Sequence, residues 1–542
     1  MYGSILNCLS FFVRSILYNF GIRQNHNKEC KKEKGMYEVK KVTDVKLNVQ
    51  LVYVALIHEY VYEGPCRFGP KECLTKEFDL MNQGEIFKAW SGGYGGALAS
   101  VPGVNMMEPL YIKMSDEFFI TDEDEARIAE HVAETDLYIF TGMRCEKIAK
   151  EFAMKYDVPV AGEGMFTSTV LSSTLTARGY DKVYSILDVP DAMRLIRALR
   201  AKKALRETRI LAATRYNSVD SLGGLDTYCN DNATKQLGIR YNYFSIHEFL
   251  DMLHVNENDQ NHTLPGRNVY NLTDEDMKEV EEIADRYIAG AQENDMDRKY
   301  VINSVKASVL ARKLMQHFQC NAFTAPCPDA CATRRMNEEQ FTFCFNHSIL
   351  NEAGIPSACE YDLIGLYSIT ALAALTHKAP YMANTQPCVY YNGHVEGEYA
   401  GISYIPEMDT DPNIYYTGHA TPNTKMFGFD AEPMKYALRP FTNSGFGATM
   451  RINFDDYKGE TITLMRFNPE CTKIMVAKGT VVGGFGYTTT GCSEGIYFSV
   501  EDKLDYFRKQ AKFGLHMPTV FGDHIEDVKR LGEVLGLEVV VA

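Results

Sequence analysis

Over the first two-thirds of the chain, short β-branched apolar runs alternate with stretches in which apolar residues recur every three or four positions. "VQLVYVALIH" (Val49 to His58), "TDLYIFTG" (Thr135 to Gly142) and "VPVAGEG" (Val158 to Gly164) read as buried strands, with "DEDEARIAEHVAE" and "CEKIAKEFAMKY" as helices between them. Strands alternating with helices predict a parallel sheet covered on both faces. The pattern restarts at "ETRILAATRY" (Glu207 to Tyr216), after the basic helical run "DAMRLIRALRAKKALR", and this restart sets a first boundary. "GIRYNYFSIHEFLDML" then reads as a strand and a helix. Thr273 caps a further helix that carries acids in its first turn, where the helix dipole favours them.

From about Pro380 the texture changes, and Gly, Thr and aromatic residues dominate. "ETITLMRFNPE" and "TKIMVAKGTVVGGFG" read as antiparallel strands, and "HIEDVKRLGEVLGLEVVVA" as a closing helix and strand. The expected organisation is a leader over 1–35, an α/β domain over 36–205, a second α/β domain over 206–378 and a β-rich domain over 379–542. The leader is apolar, but Arg14 interrupts it, and it lacks the basic start and cleavage site of a signal peptide. It is too short and broken to span a bilayer, so it is expected to be poorly ordered, with the functional chain starting near Met36. The glycine-rich "WSGGYGGALAS" (Trp90 to Ser100) has neither a dinucleotide nor a P-loop spacing and is expected to form a tight loop. "VVGGFG" is expected to be a bend or bulge between strands.

At 542 residues the chain exceeds one ordinary core, and 45% hydrophobic with 23% charged residues is globular usage. A net charge of -15 without a basic stripe excludes a nucleic-acid partner, because phosphate binding needs concentrated Lys and Arg. A small ligand or a metal fits better, and no membrane association is expected. Fourteen cysteines without a repeated short spacing point to free thiols in a reducing compartment, so the chain reads as cytoplasmic. Cys327 and Cys331 in "APCPDACATRR" are half of a zinc set with no second pair.

In "GIPSACEYD", Ile355 to Cys359 reads as a short strand, and Leu363 to Leu375 after it as a buried helix. Glu360 therefore falls at the carboxyl end of a strand, where α/β sheets gather their ligand sites. The competing reading has Glu360 and Asp362 simply capping the helix. A second strand-like piece, in "APYMANTQP", ends at Asn384; "NIYYTGHATPN" sets His419 at a strand end; "FGLHMPTVFGDHIEDV" offers His516 and His524. An acid at a strand end joined to such histidines makes a metal site of mixed oxygen and nitrogen ligands.

"NEAGIPSACEYD", the following "MANT", the strands "ETITLMRF" and "GTVVGG", and "LHMPTVFGDHIEDVKRLGEVLGLEV" together resemble the L-fucose isomerase and L-arabinose isomerase superfamily. The resemblance is clearest from Gly354 onward and architectural before it. It implies two Rossmann-like parallel-sheet domains followed by a C-terminal domain with antiparallel β-barrel-like structure. It also implies a Mn²⁺ or other divalent cation, a sugar substrate interconverted between aldose and ketose, and a homotrimer or homohexamer whose sites are completed between subunits. Glu360 matches the family's metal-binding and catalytic Glu, His516 its C-terminal metal-binding His, and His419 a further metal-binding His of the arabinose-isomerase branch. Asn384 stands where the family uses a second metal-binding and catalytic carboxylate.

That departure bears on the chemistry. An enediol route needs a metal to stabilise charge on two sugar oxygens and a group that moves a proton between neighbouring carbons. An amide ligates through its carbonyl oxygen but takes no proton near pH 7. Glu360 remains the expected proton carrier, with water, His419 or an acid of "EMDTDP" (Glu407, Asp409, Asp411) as its partner. "TQP" after Asn384 and "TTTGCSE" offer polar groups for sugar hydroxyls. The alternatives are a sugar epimerase or other rearrangement enzyme, and a non-catalytic sugar-binding or regulatory protein.

Overall fold

The computed structural model describes residues 38–61, 63, 69–214, 227–254, 270–391, 394–396 and 411–542. The expected leader over 1–35, and with it Met36, lies outside the described residues, as do Glu407 and Asp409.

The fold is mixed α/β. Leu47–Leu56 is buried along almost its whole length, as a strand must be when both sheet faces are covered. It pairs in parallel with Val104–Met106 and Leu110–Met114 on one side and with Leu137–Thr141 on the other. Val160–Glu163 and Val183–Ile186 complete a six-stranded parallel sheet. A second, four-stranded parallel sheet runs in the order Ser357–Ala358, Ala322–Thr324, Arg209–Ala213, Arg240–Phe244. The largest sheet has seven strands and is antiparallel except where Glu538–Val541 runs parallel to Lys473–Phe485.

The antiparallel sheet does not close into the barrel-like structure expected from the sequence. Its strand order is an open path from Asn384–Pro387 to Thr519–Phe521, and only isolated bridges, Tyr381 with Thr519 and Asn384 with His516, join the two ends. Between those bridges the Pro518 carbonyl faces the other neighbour and accepts from the Met465 N–H at 3.0 Å, and the two ends meet through the bonds exchanged by Tyr381 and Thr519, the Met517 N–H to Ala383 O at 2.9 Å and the Thr385 N–H to Leu515 O at 2.9 Å.

The glycine-rich run from Trp90 is a second correction, for it lies inside the 24-residue helix Lys76–Ala99 and forms no loop. Thr75 caps this helix by accepting from the Phe78 N–H, and Trp90 stacks on Tyr94 at 5.6 Å. A methyl at Gly95 would come within 3.1 Å of Leu51 Cδ1, so the small residue is what lets the helix approach the sheet. Packing of the aromatic face outweighs the cost of glycine in a helix, about 1 kcal/mol per residue. "VVGGFG" does contain a bulge, a register shift between Val481 and Gly483, but it lies within the strand Lys473–Phe485.

Helix Leu363–Thr376 is buried from Leu363 through Leu375 and packs on helix Val189–Glu207 and on strand Thr461–Phe467. Arg200 ties these parts together: fully buried, it donates from Nη1 to Ala374 O at 2.6 Å, from Nη2 to Val42 O at 2.8 Å and from Nε to Val45 O at 3.0 Å. Arg200→Met keeps the packed stem and strands three carbonyls, so it is expected to cost about 1–3 kcal/mol in urea unfolding, with ligand binding unchanged. Among the described residues no helix is long and apolar enough to cross a membrane.

Candidate metal centre

Ser357–Ala358 is the edge strand of the second parallel sheet, and the chain leaves its carboxyl end through Glu360 and Tyr361, both left-handed at φ 58°. Two consecutive non-glycine residues in that region are costly and persist only where the surroundings over-determine them. Here the Tyr361 N–H donates to Ala325 O at 3.1 Å and the Asp362 N–H to Cys359 O at 3.1 Å, closing the turn. Asp362 then caps helix Leu363–Thr376 by accepting from the Gly365 N–H at 2.8 Å. A side chain on residue 365 would meet the Asp362 carboxylate at 2.6 Å, which explains the glycine.

The turn frees the Glu360 carboxylate from capping and aims it at two buried imidazoles. Oε1 lies 3.4 Å from His419 Nε2 and Oε2 lies 3.4 Å from His516 Nε2. Candidate ligand atoms of these three residues all fall within 4.8 Å of one another. Neither 3.4 Å contact has hydrogen-bond geometry, and Glu360 Oε2, His516 Nε2 and both His419 ring nitrogens are buried without a hydrogen-bond partner. Ligands bound at about 2.1 Å with a tetrahedral angle between them stand about 3.4 Å apart, so this spacing suits atoms that share a cation. The residues therefore fit a divalent metal, and orphaned buried polar atoms are what a bound ion relieves.

His419 directly follows strand Ile414–Gly418, where its N–H donates to Glu494 O at 2.8 Å. His516 is held from behind: its Nδ1 lies 2.8 Å from Asp362 Oδ2 and its carbonyl accepts from Arg466 Nη1 at 2.8 Å. Arg466 also grips Asp362 with two bonds, of 2.7 and 2.9 Å. A carboxylate on Nδ1 fixes the ring and leaves Nε2 for the metal. Asn384 stands between the two histidines in the sheet, paired with Gly418 and bridged to His516, and its amide oxygen and nitrogen are both buried and unpartnered. Its strand begins at Asn384, later than the sequence pattern placed it.

Not every candidate converges here. His524 makes a 3.2 Å contact with Asp527 at the start of its own helix. Asp411 accepts from the Asn413 N–H and the Ser499 hydroxyl. Cys327 faces Cys359 at 3.6 Å between sulfurs, and among the described residues Cys331 joins no group of metal-ligand geometry. "TTTGCSE" supplies Glu494, which is fully buried, accepts from the Ile452 N–H and has Oε2 3.7 Å from Arg451 Nη1. Burial pushes the Glu494 carboxyl up to about 8 despite Arg451. Sequence reasoning read Asp362 only as a cap and missed Arg466 and Arg451; buried polar residues in apolar stretches were the available signal.

The electrostatics follow from these contacts. Burial raises the Glu360 carboxyl, but His419 and His516 outweigh it and hold the group well below its ordinary range. Burial alone would lower the His516 imidazole, yet Asp362 and Glu360 push it up to about 9. Without metal, His516 is thus protonated at neutral pH, and the proton on Nε2 must leave before that nitrogen can coordinate. Apparent Mn²⁺ affinity is expected to rise roughly tenfold per pH unit from pH 7 towards 9, as measured by calorimetry or by loss of the free Mn²⁺ resonance. The metal-free protein runs the other way: the stability from this raised pKa is full below the ordinary histidine value of 6.5 and is lost as pH rises through about 9.

No protein-family model matches the chain, and no curated protein matches it either.

Proposed function

We propose that the protein is a metal-dependent sugar isomerase that interconverts an aldose and a ketose through an enediol. The observation that supports this reading most is the convergence of Glu360, His419 and His516 on one another with their buried ligand atoms unpartnered. In this reading the two parallel sheets are Rossmann-like units, the antiparallel sheet is the C-terminal unit, and the protein works in the cytoplasm as a homotrimer or homohexamer.

Glu360, His419 and His516 would hold the cation, with the Asn384 amide oxygen as a further ligand. A divalent ion such as Mn²⁺ supplies Lewis-acid stabilisation of developing negative charge. Glu360 moves the proton between the two carbons; it is the carboxylate at the centre of the cluster, and its low proton affinity in the free protein reflects the two imidazoles. Asp362 and Arg466 keep His516 oriented and transfer no proton themselves.

A second reading is supported by Asn384: an amide there removes one proton acceptor, which suits an epimerase or a protein that binds sugar without turning it over. One experiment separates them. Purified protein with Mn²⁺ is incubated in D₂O with a panel of aldoses and ketoses, and deuterium is sought at the carbon beside the carbonyl. Label with ketose supports the isomerase, and label at an inverted centre the epimerase. Binding of Mn²⁺ and sugar without label on any of them leaves the binder.

A further inference from the structure

The second parallel sheet ends in a pair of thiols beside the metal centre. Strands Ala322–Thr324 and Ser357–Ala358 are neighbours in register, Phe323 opposite Ser357 and Thr324 opposite Ala358, so both leave the sheet at the same carboxyl edge. One exits directly into Cys359; the other passes through Ala325 and Pro326 into Cys327, the first residue of helix Cys327–Ala332. Ala325 O accepts from the Cys327 N–H at 3.1 Å and from the Tyr361 N–H at 3.1 Å, so one carbonyl fastens both exits. The two sulfurs stand 3.6 Å apart.

That separation is contact without a bond, and a disulfide needs about 1.5 Å of further closure, shared between the two exits. Cys327 is half-buried and Cys359 buried, so an oxidant arriving from solvent meets Cys327 first. Cys359 is joined directly to Glu360, and its carbonyl accepts from the Asp362 N–H at 3.1 Å, closing the turn whose two residues are left-handed. Movement at Cys359 is therefore passed to the carboxylate that faces His419 and His516. Metal coordination tolerates only about 0.2 Å in ligand distance, much less than the closure a disulfide demands.

We propose that Cys327 and Cys359 form a reversible disulfide when hydrogen peroxide oxidises them, and that this bond weakens the metal centre by displacing Glu360. The effect on the metal rests on the reading of Glu360, His419 and His516 given above; the bond itself does not. The Cys327 sulfur attacks one peroxide oxygen, forming an S–O bond as the O–O bond breaks and water leaves, which gives a sulfenic acid. The Cys359 sulfur then attacks the sulfenic sulfur: the S–S bond forms, the S–O bond breaks, and the departing oxygen leaves as a second water with the Cys359 proton. Two thiols lose two electrons and one peroxide is reduced to two waters. In a reducing compartment such bonds are transient and serve to sense oxidants.

The test treats the metal-free, full-length protein with hydrogen peroxide, removes the oxidant, maps the linked peptides by mass spectrometry and titrates Mn²⁺ by calorimetry before and after dithiothreitol. The expected result is a Cys327–Cys359 link with Mn²⁺ affinity about 10–100-fold lower, restored on reduction. Cys327→Ser should bind Mn²⁺ as the reduced wild type does and keep that affinity through peroxide treatment. Cys331, exposed one turn along the same short helix, is the competing partner for Cys327, so Cys331→Ser should still lose affinity on oxidation. A link from Cys327 to any other cysteine in place of Cys359, or no link at all, overturns the proposal and leaves the metal reading standing. So does a Cys327–Cys359 link with Mn²⁺ affinity unchanged. A reduced wild type that binds no Mn²⁺ overturns the metal reading and this control of it together, whatever the thiols do.

Discussion

Replacing Glu360 with glutamine is expected to end solvent deuterium exchange on every sugar that the wild type labels, a loss of at least about a thousandfold. Glutamine keeps the length, the branching and a carbonyl oxygen that can face the cation, so the left-handed turn at residues 360 and 361 has no steric reason to change. What it removes is the negative charge and the only carboxylate in the cluster. Mn²⁺ affinity should fall as well, because two neutral imidazoles and amides give a divalent ion no charge compensation. The two losses separate at saturating Mn²⁺: occupancy can be restored by mass action, whereas exchange cannot, since an amide takes no proton near neutral pH. Exchange that survives in a metal-loaded Glu360→Gln protein would sink the assignment of Glu360 as the proton carrier.

Local pattern carried the centre of this site and missed its support. Glu360 was legible because a strand, a turn and a helix succeed one another within a dozen residues, and His419 because its strand ends one residue before it. The Asp362–Arg466 pair was not, because its partners are 104 positions apart and belong to a helix N-terminus and to a strand. The glycines after Trp90 show the opposite error, where composition suggested a loop and tertiary packing against Leu51 made a helix. Antiparallel strands in the last part of the chain were legible from alternation, but whether the sheet's ends pair as full strands or only through isolated bridges depends on contacts between segments more than 130 positions apart, which alternation does not carry.

Asp362→Asn is expected to have the largest effect on stability. The wild-type carboxylate is completely buried and serves the Gly365 N–H, two Arg466 donors and His516 Nδ1 at once. Burial would raise the Asp362 carboxyl, but Arg466 and His516 together outweigh it and hold the group well below its ordinary value. An asparagine turns an NH₂ towards donors that had faced oxygen and leaves the Arg466 charge buried without a counter-charge, a situation that costs about 3–5 kcal/mol. The sign in pH is fixed by the depressed pKa: the destabilisation is full above the ordinary aspartate value of 3.8 and shrinks as pH falls further and the wild-type carboxylate is protonated. The double replacement Asp362→Leu with Arg466→Met should recover part of the stability in urea unfolding, because it removes the unpaired buried charge, while the Gly365 N–H, His516 Nδ1 and the Phe513 and His516 carbonyls stay without those partners. It should not recover Mn²⁺ affinity, which is expected to stay about 10–100-fold weak, since nothing then orients His516 Nδ1. Recovery of both together would mean that the pair supports the fold alone and that His516 needs no help to present Nε2.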